Sequence, residues 1–129
     1  MPLKATKPLQ YVCLFPADMP TQKDGDVFIF MFVDAYSGFA FNPLVEHDRE
    51  PDTVLKNISA LLQTPDFINQ NTNGFTIVLH KYDNILAQAN ELVKPYNGKV
   101  IIDAIYVTQI VMPVLQHMFS HMAKSIKKS

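Results

Sequence analysis

Tryptophan is absent from this chain of 129 residues, cysteine occurs once, glycine four times, and Arg49 is the one arginine. A single cysteine, Cys13, excludes an internal disulfide and suits a reducing compartment, so the expected location is the cytoplasm, with no disulfide-linked partner. Long apolar runs are also missing. The longest, Val27 to Val33, falls well short of the roughly 20 residues that a spanning helix needs, and no signal-peptide pattern opens the sequence. No membrane association is expected. Charge of either sign is scarce: charged residues make up 18%, and the formal net charge is -1. Proteins that neutralise many phosphates carry an excess of Lys and Arg, which this composition lacks. What remains is plentiful apolar material, 48% of the chain, enough for one core in a single domain over 1–129. Residues 1–8 (MPLKATKP) read as a loose basic arm and 125–129 as a tail.

Leu9 to Phe15 is apolar and β-rich and reads as a first strand stopped by Pro16. Pro, Asp and Gly collect in Pro16 to Asp26, a loop. A second strand is expected over Val27–Asp34, apolar on both faces and therefore covered on both sides. A turn at Ala35-Tyr36-Ser37-Gly38 returns a third strand, Phe39–Val45, which makes an antiparallel meander. The first helix is capped at Asp48 or Glu50, carries Pro51 in its first turn, and places Val54, Leu55, Ile58, Leu61 and Leu62 on one stripe before Pro65 ends it. A strand over Gly74–His80, a helix capped by Asp83, a fifth strand over Lys99–Ile105 and a last helix from near Met112 complete the reading. The expected class is α/β, with a five-stranded mixed sheet and helices on both faces.

The segment Val33-Asp34-Ala35-Tyr36-Ser37-Gly38-Phe39-Ala40-Phe41 resembles the second and third strands of the integrase catalytic core, the family of retroviral and transposon integrases. The resemblance implies a ribonuclease H-like fold with the order β-β-β-α-β-α-β-α, and it extends over about residues 9–124. It also implies a catalytic triad of acidic residues holding two magnesium or manganese ions, which activate the attacking oxygen and steady the leaving one. Laid over this chain, the triad positions fall on Cys13, His80 and Gln116, with 35 residues between the last two. A thiol, an imidazole and an amide supply no negative charge for hard cations, which need charged oxygen ligands. The expectation is therefore a degenerate core that has lost polynucleotidyl transfer, needs no cofactor, and acts by binding nucleic acid or protein. Asp34, within the matching turn, is structural in the family.

Other readings stay open on the sequence. Asp18, Asp83 and Asp103 form an alternative acidic set that would restore magnesium or manganese chemistry, although Asp83 also suits a helix cap and Asp18 a solvated loop. His117 and His121, at i and i+4, share a helix face and with Cys13 or His80 would make a nitrogen/sulfur metal site; they equally suit a solvent-facing flank. Lys124, Lys127 and Lys128 are the candidate phosphate contacts for DNA, and they equally complement a helix dipole. Met112, Met118, Phe119 and Met122 form an apolar patch on the same helix, and the resemblance implies a homodimer. A cytosolic interaction module with no link to DNA is the remaining alternative.

Overall fold

A computed structural model describes the backbone of residues 3–18, 27–70 and 74–128, and the side chains of these except 42, 70 and 121–128. Five strands, β1 (Tyr11–Asp18), β2 (Phe28–Asp34), β3 (Ala40–Glu46), β4 (Phe75–Leu79) and β5 (Gly98–Ile102), form one sheet in the order β3-β2-β1-β4-β5. The pairs β1–β2 and β2–β3 are antiparallel, and β1–β4 and β4–β5 are parallel, so β2 alone runs against the rest. The α/β class and the mixed sheet expected from the sequence are both present.

Side chains alternate across each strand and sort into two cores. Val12 and Leu14, Phe28, Phe30 and Phe32, Ile77 and Leu79, and Val100 face one side. They pack under α1 (Pro51–Leu62), α2 (Pro65–Gln70) and α3 (Leu86–Val93) through Val54, Ile58, Leu61, Phe67, Ala89 and Val93. Cys13 and Ala17, Ile29, Met31 and Val33, and Val78 face the other side, beneath Tyr106, Val107, Val111 and Leu115 of α4 (Ala104–Lys128). Both faces of β2 are covered, as its unbroken apolar run requires.

Several boundaries differ from the sequence reading, and each difference has a local cause. Leu9 is a left-handed turn residue (φ 61) and not the start of β1. Pro16 does not stop β1 but sits within it, opposite Phe30. The pairing of β1 with β4 ends at Leu14, so beyond it β1 has an unpaired side where a proline is accommodated. The rest of the expected loop, 19–26, lies outside the described residues. Pro65 ends α1 but also opens α2, whose Phe67 is fully buried. The largest correction is α4, which starts at Ala104 and not near Met112. The carboxylate of Asp103 accepts the Tyr106 N–H at 3.0 Å and its carbonyl accepts the Val107 N–H at 3.1 Å, an N-cap that turns a β-branched run into helix. Pro113 is consequently interior to α4, on an exposed face where solvent can reach the carbonyl it leaves unpaired.

Both sheet edges are closed to further pairing in part. On β3, Asn42 and Pro43 together oppose Met31, a bulge with a proline that has no N–H to offer. On β5, the Asn90 side chain accepts the Val100 N–H at 2.9 Å and donates to the Val100 carbonyl at 3.1 Å, taking the place of a neighbouring strand.

The β2–β3 turn is fixed by Asp34, only 3% exposed. Its carboxylate accepts the Leu9 N–H at 3.0 Å, the Tyr36 N–H at 3.3 Å and the Ser37 hydroxyl at 2.8 Å. Its carbonyl accepts the Gly38 N–H at 2.8 Å, with Gly38 at φ +77, a conformation that glycine adopts without strain. Replacing Asp34 with Ala strands buried donors in two segments at once, and the expected loss is about 2–4 kcal/mol. Urea denaturation of the two proteins measures it, and a difference within about 0.5 kcal/mol, the size of an ordinary surface substitution, would show that the turn stands without its carboxylate.

Candidate functional site

The carboxyl end of β4 lies beside the first half of β1 in the middle of the sheet, with Cys13 opposite Val78 and Leu14 opposite Leu79. Beyond these pairs, the ring of Phe15 lies 4.8 Å from that of His80. The chain then turns sharply. Tyr82 holds a left-handed backbone (φ 84), sets its ring edge-on to His80 at 5.5 Å and donates its hydroxyl to the Arg49 carbonyl at 2.8 Å. His80 thus sits between two aromatic rings at the end of a buried strand, itself half-buried.

The electrostatics follow from this burial. Desolvation, with the positive charges of Lys81 and Arg49 adding to it, pushes the His80 imidazole down to about 4, so it is neutral at pH 7. Its Nδ1 is buried and has no hydrogen-bond partner among the described residues. Cys13 is fully buried, and desolvation reinforced by the Asp103 and Asp34 charges drives its thiol up to about 12. A thiol that far above neutrality is no nucleophile, and an imidazole that weak is a poor base. These two groups offer neither charge for a hard cation nor a proton-transfer group poised near pH 7.

The third aligned position stands apart. Gln116 is exposed on α4, about 20 Å further along the helix axis than Asp103, at 1.5 Å per residue. The structure therefore brings the strands of Cys13 and His80 together but leaves Gln116 outside that centre. The residues of α4 that share a buried cluster with Cys13 are Tyr106, Val107, Val111 and Leu115, and the ring of Tyr106 stands edge-on to Tyr11 at 5.7 Å. Sequence spacing misses them, because a count of 35 from His80 presumes a loop before the helix, whereas Asp103 starts α4 directly after β5.

The alternative acidic set is dispersed. Asp18 is exposed at the end of β1, Asp83 is exposed at the start of a 3-10 turn (Asp83–Ile85), and Asp103 caps α4. Among the described residues, no group of three or more His, Cys, Asp or Glu side chains stands in an arrangement that could hold a metal ion. His117 is exposed on α4, while the side chains of His121, Met122, Lys124, Lys127 and Lys128 lie outside the described residues. Met112, Met118 and Phe119 are partly buried against the α4-side core. Among the described residues, the exposed large apolar side chains are Tyr36, Phe39, Leu44 and Val45 on the β2–β3 ribbon, Ile68 on α2, Tyr96 ahead of β5 and Ile105 at the start of α4. None of the described helices is long and apolar enough to cross a membrane.

The depressed His80 value has a consequence for stability. Between about pH 4 and 6.5 the unfolded chain holds a proton on this ring that the folded chain does not, so stability rises with pH across that window and is lost as pH falls through it. The expected contribution is about 1–2 kcal/mol, discounted for the solvent that reaches a half-buried ring. Chemical denaturation at pH 4.5 and 7.0 measures it: His80→Gln flattens the slope relative to the parent, and parallel slopes would contradict the burial argument. No protein-family model matches this chain, and a comparison with curated proteins finds no match.

Proposed function

We propose that this chain is a ribonuclease H-like scaffold related to integrase cores, without polynucleotidyl-transferase activity, that acts by binding a protein partner. The supporting architecture is a three-strand meander followed by alternating helices and strands that extend the sheet in parallel from β1, the arrangement implied by the Val33–Phe41 resemblance. One observation carries the loss of chemistry: where the family needs adjacent carboxylates, β1 and the end of β4 present a buried neutral thiol and a neutral imidazole packed against Phe15. Two divalent ions placed there would find no charged ligand at either position.

A protein partner suits the surface better than DNA. The net charge is -1, whereas Phe39 and Val45 are each 56% exposed on the same ribbon, beside Tyr36 and Leu44. These side chains lie along an edge ribbon, where a partner could contact them from either side of the sheet. Nucleic-acid contact through Lys124, Lys127 and Lys128 is the competing mode, and it requires binding that weakens steeply with salt and on neutralising those lysines.

Two measurements test the reading. Manganese at millimolar concentration is expected to leave the melting temperature unchanged, and incubation with branched or nicked DNA and manganese is expected to give no cleavage or strand transfer. Clear activity that disappears in His80→Ala sinks the loss of chemistry. Light scattering over a concentration series addresses a second copy as the partner: association is expected, and Phe39→Lys or Val45→Lys is expected to abolish it. A monomer at every concentration removes self-association and leaves a different protein as the partner.

A further inference from the structure

A pocket of about 330 Å³ opens at the amino-terminal ends of β4 and β5, the end of the sheet opposite His80. The backbone around it tolerates little change. Gly74 has φ +88, and a Cβ there would stand 2.7 Å from the Asn97 carbonyl oxygen. Asn97 is itself left-handed, at φ 61. Two turns are thus pressed together where a glycine alone fits. The turn before β1 joins them, since the Thr76 N–H donates to the Gln10 carbonyl at 3.0 Å. Gln10 Oε1 accepts the Thr6 N–H at 2.6 Å and the Thr6 hydroxyl at 3.1 Å, which leaves its amide nitrogen as a donor.

Charge on this wall is of one sign. Lys7 and Lys99 line the pocket, both exposed, and no Asp or Glu lines it. Neither lysine makes an ion pair among the described residues, where the pair found is Lys56 with Glu46. Lys99 stands beside Thr76 across the β4–β5 pairing, so an ammonium and a hydroxyl neighbour one another on the same face of the sheet. The amides of Gln10 and Asn97 add further donors to the lining. In a chain of net charge -1, two free lysines around one concavity without a carboxylate favour an anion. The volume lies in the range of small-molecule sites and leaves room for an organic part beyond the charged group. A phosphate monoester carries about -2 near neutral pH, which matches the two ammonium groups. We propose that this pocket binds a small phosphate monoester, with its phosphoryl oxygens on Lys7 and Lys99. This inference stands independently of the integrase resemblance and of the protein partner proposed above.

Glycerol phosphate, glycerol and succinate are the probes, titrated into the full chain at fixed ionic strength and followed by amide chemical shifts. Saturable shifts are expected at Gly74, Phe75, Thr76, Gly98 and Lys99 with glycerol phosphate, and none with glycerol. Lys7→Gln and Lys99→Gln lie at exposed positions where folding is not at stake, and each is expected to weaken binding about tenfold, the scale of one charge-assisted hydrogen bond. Lys81→Gln removes the same charge at the far end of the sheet and is expected to leave the affinity within about twofold. The proposal is overturned by the lack of any saturable shift with glycerol phosphate, or by an affinity that neither Lys7→Gln nor Lys99→Gln lowers. Equal weakening by Lys81→Gln overturns it as well, because general attraction would then explain the binding. Succinate bound as tightly rejects the phosphate class, and a short single-stranded oligonucleotide that displaces glycerol phosphate and binds more tightly rejects the small molecule.

Discussion

The Asp34 carboxylate organises the sheet, because its three hydrogen bonds tie two segments that are far apart in sequence. Leu9 delivers the chain into β1, and Tyr36 and Ser37 reverse it from β2 into β3. One buried anion holds all three in register, with the Ala35 N–H adding a bond to the Tyr11 carbonyl at 2.9 Å. β1 is the central strand, so its entry angle also sets the position of β4, and through β4 that of β5. A neutral side chain at position 34 could accept fewer bonds from these donors, which is a physical reason for an aspartate there. The buried charge is met by converging N–H and O–H dipoles, without a basic partner among the described residues.

Most of the sheet could be read from the sequence because period and burial coincide there. Phe28, Phe30 and Phe32 alternate with Ile29, Met31 and Val33, and each set meets its own layer of helices. The stripe of α1 was equally readable from Val54, Ile58, Leu61 and Leu62. Reading failed where residue type and context conflict. Pro16 looks like a strand breaker, yet it lies within β1 at a point where an unpaired side tolerates it. The start of α4 was hidden because Ile105, Val107, Ile110 and Val111 carry β propensity. The i, i+4, i+8 spacing of Val107, Val111 and Leu115 behind Asp103 was the signal for helix, and burial of those three residues overrode local preference.

The candidate centre was only partly legible for the same reason. The placement of Cys13 on the strand beside the one that His80 follows comes from strand pairing, which sequence pattern can anticipate. The placement of Gln116 rests on a loop length, and loop lengths carry no period. Lys7 gave a weaker signal still: it reads as part of a basic arm, and only the folded chain reveals that it lines one pocket with Lys99.

The way α4 closes on the sheet bears on the proposed loss of catalysis. A centre that grips two ions must keep like-charged carboxylates together when the ions are absent, which raises their pKa values and loosens the packing around them. It must also leave a path for a polynucleotide. Here the opposite solution is in place. Asp103 donates its N–H to the Leu79 carbonyl at 2.9 Å, so the helix springs from the strand end itself, and Val107 and Val111 lie with Cys13 in one dry cluster, all three fully buried. A thiol at position 13 suits this contact, since an ionised group under Val107 would be desolvated with no counter-charge. Close packing of α4 over Cys13 and the absence of a carboxylate at that position are thus mutually consistent, because each would be costly without the other.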